Sequence, residues 1–372
     1  CASLGEFEQG RPIIESIRNA HPLTKIVVTF FSPSGYEVKK NYEVADKVLY
    51  LPSDSRKNAR AFINAIHPNL VIWVKYEYWY FYLQELKNHN IPVLLVSAIF
   101  NPDQPFFKWH GALHRSMLHC FSQIFVQNQD SLGLLGRVGL EGKAILAGDT
   151  RFDRVIQIAE SFEPLPSIEA FCGCSPVIVA GSTWEEDEEE LDHYANTHPQ
   201  IKFIIAPHEV DPVHLKEMEN LFHRTIRFSL LAENQATWRK EGGQGKTSLP
   251  NVLLIDNIGL LSRLYKYATI AYVGGGFGED GVHNVLEAAV YGRPVVYGPV
   301  IEKYAEALEL VDRGGGIVID SAVEAETVFS RLLADPDEYR ISCEASKKYV
   351  YAMKGATEKI LEFIQANRLL TN

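Results

Sequence analysis

Twelve short runs rich in β-branched and other apolar residues, each followed by a segment of helical character, constrain this chain more than any other feature. In the first half they fall at residues 25–31, 47–51, 70–74, 92–97, 124–127 and 144–146, with helices expected between them, for instance over 55–66 and 78–88. A second series follows at 177–181, 202–206, 252–255, 269–273, 294–297 and 316–319. The runs are continuous rather than alternating, which is the pattern of parallel strands buried on both faces. Strands that alternate with helices build α/β layers, and such sheets bind ligands at the carboxyl ends of their strands. Pro164, Pro166 and Pro176 break the pattern. The expected architecture is two doubly wound, Rossmann-like domains facing a central cleft. Residues 1–160 form the first, 161–176 a linker and 177–350 the second, with a helix over 351–372 able to return to the first domain. Residues 235–249, with Gly242, Gly243 and Gly245, read as a surface loop.

At 372 residues, 46% hydrophobic and 22% charged, the chain has the composition of globular domains with their own cores. Residues 1–160 carry 17 Lys and Arg against 15 Asp and Glu, a net of +2, which leaves −13 of the total −11 to the remainder. An acidic second half does not suit nucleic acid; a mildly basic first half suits an anionic partner. Five cysteines lack metal-ligand spacing, and Cys172 and Cys174 are too close for a CxxC motif, so reduced thiols in a cytosolic setting are expected. No apolar run reaches the roughly 18 residues that span a bilayer. Cys1-Ala2-Ser3 leads at once into a helix, so an upstream segment is expected, carrying part of the first strand and a targeting or anchoring helix.

The stretch VGGGFGEDGVHNVLEAAVYGRPVVYGP, beginning at Val273, is the densest in chemistry. A strand runs into Gly274, Gly275, Gly276 and Gly278, and a loop delivers His283 and Asn284 to a helix start. Glycines let backbone N–H groups approach a ligand, and a helix N-terminus favours phosphate. Glu287 on the first turn is placed to accept the hydroxyls of a ribose. The unit reads as a nucleotide clamp, though it is neither a P-loop nor a GxGxxG fingerprint. The alternative is a glycine-rich turn that only lets strand and helix pack.

Other candidates stand at expected strand ends. Glu6, after Gly5, is placed to act as a general base, or equally to favour the dipole of an N-terminal helix. Glu77 lies among Tyr78 and Trp79, where its ionisation would be perturbed, or it caps beside a core aromatic stripe. Arg151 is available to a phosphate or carboxylate, or to an exposed ion pair with Asp149 or Asp153. Ser182-Thr183 reads as a helix N-cap, and residues 185–190 as a solvated acidic face. Pro207-His208 follows a strand where a base or phosphate would rest on the backbone. Asp335-Pro336-Asp337 spells DxD but has the grammar of a helix start. His110, His114 and His119 lack an acidic ligand to complete a metal site, and their aromatic, basic segment reads as a partly buried helix or a membrane-surface one.

Taken in order, Ser3-Leu4-Gly5-Glu6-Phe7, Glu77 before Trp79, Gly148 with Arg151-Phe152-Asp153, and Gly281 with His283-Asn284 and Leu286-Glu287 resemble the motifs of 3-deoxy-D-manno-octulosonic acid (Kdo) transferases. Gly298-Pro299 and Glu306-Ala307 extend the match over nearly the whole chain. The resemblance implies a GT-B fold and transfer of Kdo from CMP-Kdo to a lipid A precursor, with inversion and without metal. It implies a location at the cytoplasmic face of the bacterial inner membrane and no nucleic-acid partner. By the same resemblance Glu6 is the base, and Glu77 and Arg151 stabilise the transition state. CMP contacts then map to Pro207, His208, Ile258, Gly259, Leu260, Asn284, Val285, Leu286 and Glu287, with Asp256 or Asn257 capping a helix at the middle set. Arg151 stands where many members carry Lys, and Leu260 and Val282 replace an acid and a glycine. The rival readings are a GT-B enzyme acting on a UDP- or ADP-sugar, such as a sugar-nucleotide epimerase, and a non-catalytic nucleotide-binding adaptor.

Overall fold

In the computed structural model, residues 1–75, 77–232 and 250–370 are described, so the expected loop over 235–249 lies outside the described residues. The chain forms two compact units, one of Cys1–Arg154 with Met353–Asn372 and the other of Val155–Ala352.

The strands of the first unit are β1 (Val27–Phe30), β2 (Lys47–Tyr50), β3 (Val71–Val74), β4 (Val93–Ala98), β5 (Gln123–Val126) and β6 (Ala144–Leu146). β3 to β6 form a four-stranded parallel sheet in chain order, while β1 and β2 form a separate parallel pair. All six residues of β4 are buried, as expected of a central strand covered on both faces. Leu94 and Val96 meet Ile13 and Ile17 of the helix Leu4–Ala20 together with Ile360 and Ile364 of the helix Ala356–Ala366. Val93 and Leu95 pack instead with Ile63, Leu83 and Leu86. The returning helix is tied down by Asp153, whose two carboxylate oxygens accept from the N–H groups of Gly355 and Thr357 at 2.6 Å each. Residues 153 and 357 are thus joined by the N-terminal capping chemistry that Asp supplies best.

The second unit holds β7 (Val177–Thr183), β8 (Lys202–Pro207), β9 (Thr225–Arg227), β10 (Val252–Leu254), β11 (Ile270–Val273), β12 (Val295–Tyr297) and β13 (Gly316–Val318). They form one parallel sheet in the order β13-β12-β11-β7-β8-β10-β9. The chain starts at the centre with β7, builds outward through β8, then crosses back to β11 on the other side. β7 and β11 are therefore the two strands at the topological switch point, the place where doubly wound sheets receive ligands. Gly181 pairs with Val273, so the segments that leave these strands emerge side by side.

Two local expectations are corrected. Ser182-Thr183 does not cap a helix: β7 runs on to Thr183, which pairs with Pro207 beyond a register shift, and the helix starts at Glu185 behind Trp184. Ser182 takes up the shift with a φ of 55°, a left-handed conformation that non-glycine residues adopt at a cost. β9 carried no sequence signal because three residues, Thr225-Ile226-Arg227, are too few to show a period. The helix start at Asp335 is as read: its carboxylate accepts from Asp337 and Glu338 N–H at 3.0 Å.

Candidate active site

The second unit gathers its polar residues at the switch point around one carboxylate. Asp187, on the first turn of the helix Glu185–Thr197, is fully buried. Its Oδ2 accepts from the N–H of Trp184 at 2.9 Å and of Gly275 at 2.8 Å, and its Oδ1 from the Tyr272 hydroxyl at 2.7 Å. Burial raises its pKa above the usual carboxylate range, against the opposing pull of those three donors. Asp187 thereby fastens the glycine loop after β11 to the helix after β7. Its neighbour Glu188 is also buried, accepting from Thr183 Oγ1 at 2.8 Å and facing His214 Nε2 at 3.2 Å. The acidic run 185–190 is thus not a uniformly solvated face. Two of its members turn inward because a capping acid at the third helical position points back at the strand end.

The glycines here pack against the protein itself. A Cβ on Gly274 would stand 2.4 Å from Ser182 O, one on Gly275 2.5 Å from Gly281 O, and one on Gly276 2.5 Å from Gly298 N. Close packing of strand ends accounts for these three, whatever ligand the loop also meets. The helix after the loop is only Leu286–Ala289, and Asn284 caps it weakly, its Oδ1 accepting from Leu286 N–H at 3.3 Å while its Nδ2 donates to Glu287 Oε1 at 3.1 Å. Four residues carry little macrodipole, so the expected helix-end field is small and the loop's own dipoles must supply the rest. Val285 and Leu286 are fully buried, which leaves them only backbone groups to offer a ligand.

Three rings adjoin the loop. His208 stacks on both Trp184, at 4.6 Å between centroids, and His283, at 4.3 Å. Trp184 Nε1 donates to His283 Nε2 at 3.0 Å. Burial first, and the neighbouring His208 second, lower the His283 pKa to about 4. An unfolded histidine titrates near 6.5, so as pH falls below that value the unfolded chain takes up a proton the folded one refuses. This contribution is full above pH 6.5 and is lost as pH falls towards 4. Denaturation of the parent and of His283→Asn at pH 7 and pH 5 is expected to show the parent losing about 1 kcal/mol more than the variant, after discounting for partial solvent screening of the ring.

Of the middle set, Ile258 is 85% exposed, Gly259 has a φ of 98°, and Leu260 precedes a one-turn helix, Leu261–Leu264. Leu260 stands at the N-cap of that helix with no side-chain cap bond, and Asp256 accepts from Ser229 instead, so the cap expected from Asp256 or Asn257 is corrected. Pro207 ends β8, and the N–H of His208 continues the ladder to Thr183 O at 2.9 Å.

In the first unit Glu6 sits on the first turn of Leu4–Ala20, a helix capped by Ser3 Oγ, and its carboxylate accepts from Ala2 N–H. It is therefore a helix-start acid, and the strand expected before it is not among the described elements. Glu77 follows β3, and burial, then the nearby charge of Glu6, raises its pKa. Both acids line a groove of about 810 Å³ whose long walls are β1 and β3. Those facing strand edges have no ladder partner among the described residues, and the walls are mostly aliphatic. The two acids thus stand in an otherwise mostly aliphatic slot. Arg151 pairs with Asp149, Nε to Oδ2 at 2.8 Å and N–H to Oδ1 at 2.9 Å, in a partly buried pair rather than an exposed one. Thr150 Oγ1 donates to Gln9 O at 2.6 Å and contacts Ser97 Oγ at 2.8 Å, and Gln9 Nε2 reaches Asp149. The network locks the helix of Glu6 to the turn of Arg151. Gln9, Ser97, Trp184, Asp187 and Glu188 were not legible as site-building residues, since buried partners show only in three dimensions.

Residues 1–154 match the family profile described as 3-deoxy-D-manno-octulosonic-acid transferase. The Kdo transferase of Aquifex aeolicus is 26% identical over 98% of this chain and 92% of its own length, and that of Haemophilus influenzae 24% identical over 98% and 85%. A bifunctional glycosyltransferase/methyltransferase of Fusobacterium nucleatum is 26% identical over 87% of the chain, which spans half of that longer protein. Among solved structures, UDP-GlcNAc 2-epimerase from Neisseria meningitidis superposes with a TM-score of 0.67, covering 98% of each chain at 19% identity. That likeness establishes the fold, a GT-B-type pair of α/β units.

Proposed function

This chain belongs to the Kdo transferase family and is a glycosyltransferase, and from that premise we propose that it moves Kdo from CMP-Kdo to a lipid A precursor. In this reading Glu6 takes the proton of the attacking hydroxyl as that oxygen bonds to the anomeric carbon of Kdo. The bond from that carbon to the phosphate oxygen breaks with inversion, and CMP leaves with the electron pair. Glu77 and Arg151 stabilise the charge that develops, and no metal is required. CMP rests on Pro207 and His208, on Ile258, Gly259 and Leu260, and on Asn284, Val285, Leu286 and Glu287. The observation that carries the proposal is sequence similarity to Kdo transferases along 98% of the chain, joined to a buried carboxylate at Glu6.

The acceptor is a lipid, so the enzyme is expected at the inner-membrane surface on its cytoplasmic side. Trp109, 92% exposed, and the exposed Leu113 beside it suit that interface, where indole rings settle at the headgroup level. No helix among the described residues is long and apolar enough to cross a membrane.

The test is to incubate the protein with CMP-Kdo and a lipid A precursor in mixed micelles and weigh the lipid. A mass gain of whole Kdo units is the expected result. Conversion of a UDP-sugar in solution, with no change in the lipid, would favour an epimerase on this fold instead. Binding of CMP with neither product would favour the adaptor.

A further inference from the structure

Trp184 makes two contacts that a simple packing residue has no need of: a ring stack on His208 and a hydrogen bond from Nε1 to His283 Nε2. A ring nitrogen that accepts a hydrogen bond carries no proton, so the neutral His283 must bear its proton on Nδ1. Nδ1 makes no hydrogen bond among the described residues. His283 itself is fixed, its N–H donating to Gly274 O at 3.0 Å within the glycine loop. His208, at the end of β8, and Asp280, in the loop, are the titratable groups that act on the ring.

We propose that Trp184 is a positioning residue that holds His283 in the Nδ1–H tautomer, so that the ring offers a single hydrogen-bond donor to the phosphate of a bound nucleoside monophosphate. The phosphate half rests on the donor-binding function proposed above; the tautomer half does not. The arrangement is a fixed dipole rather than a charge: the low proton affinity of His283 keeps the ring neutral across the physiological range. A neutral donor binds phosphate without a tight ion pair, which suits a site that must release its nucleotide.

Trp184→Phe keeps an aromatic ring for the stack and removes the N–H. In imidazole nitrogen NMR spectra the parent is expected to show His283 as the neutral Nδ1–H form from pH 5.5 to pH 8. The variant is expected to show a mixture of tautomers and a midpoint closer to that of ordinary histidine. The variant's Kd for CMP is expected to rise about tenfold while that for cytidine, which lacks the phosphate, stays unchanged. His283→Asn retains a donor near the Nδ1 position, so adding Trp184→Phe to it should cost no further affinity for CMP. His208→Ala removes the stack and leaves the hydrogen bond, and it should leave the tautomer as it was. An unaltered His283 spectrum in Trp184→Phe overturns the positioning role, as does an equal tautomer shift in His208→Ala. Equal losses for CMP and cytidine overturn the phosphate contact. If the parent itself binds no CMP, the donor-site reading fails, and the imidazole spectra still decide the role of Trp184.

Discussion

Asp187→Ala is expected to destabilise the second unit by about 4 kcal/mol, because it strands three donors at once, two of them buried. Two are backbone N–H groups, of Trp184 and Gly275, and the third is the Tyr272 hydroxyl. The last two are out of reach of solvent-like compensation, since Tyr272 and Gly275 are buried. Asp187→Asn retains one acceptor oxygen and should fall between parent and alanine variant. Chemical denaturation measures the loss, and CMP titration under native conditions should show a weaker affinity as the glycine loop comes free of the helix after β7. A loss below about 1 kcal/mol would mean that water replaces the carboxylate and that the loop is held by something else.

Glu6→Gln is expected to lower the transfer rate by about 100- to 10,000-fold while leaving CMP affinity close to that of the parent. Glutamine preserves the size and can still accept from Ala2 N–H, so the helix start should survive. What disappears is the ability to take a proton. The rate is measured as Kdo-modified lipid by mass, and affinity by calorimetry with CMP. A variant that turns over at the parent rate would remove Glu6 from the chemistry. One that loses both rate and affinity would point to damage spread through the Gln9, Thr150 and Asp149 network.

The layered architecture was legible because buried parallel strands write themselves as unbroken apolar runs. Residues 177–181 and 269–273 were seen as strands from that signal alone, and they turned out to flank the switch point. The glycine stretch was also visible, but its purpose was not. Sequence shows that Gly274, Gly275 and Gly276 lack side chains, whereas only coordinates show that Ser182 O, Gly281 O and Gly298 N already occupy the space. Asp187 and Glu188 were hidden for the opposite reason. In a run of six acids every carboxylate looks alike, and which two point inward depends on where β7 ends. The tryptophan–histidine contact spans 99 positions and has no trace in local spacing.

Asp153 fastening Gly355 and Thr357 has a consequence for biosynthesis. Ile360 and Ile364 complete a core that also contains Ile13 and Leu94, so the helix Leu4–Ala20 waits for the much later helix Ala356–Ala366 before its packing can close. Emerging from the ribosome, Val155–Ala352 has all of its own strands and can mature first. The first unit stays unfinished, and exposed to chaperones and proteases, until the helix Ala356–Ala366 has been made.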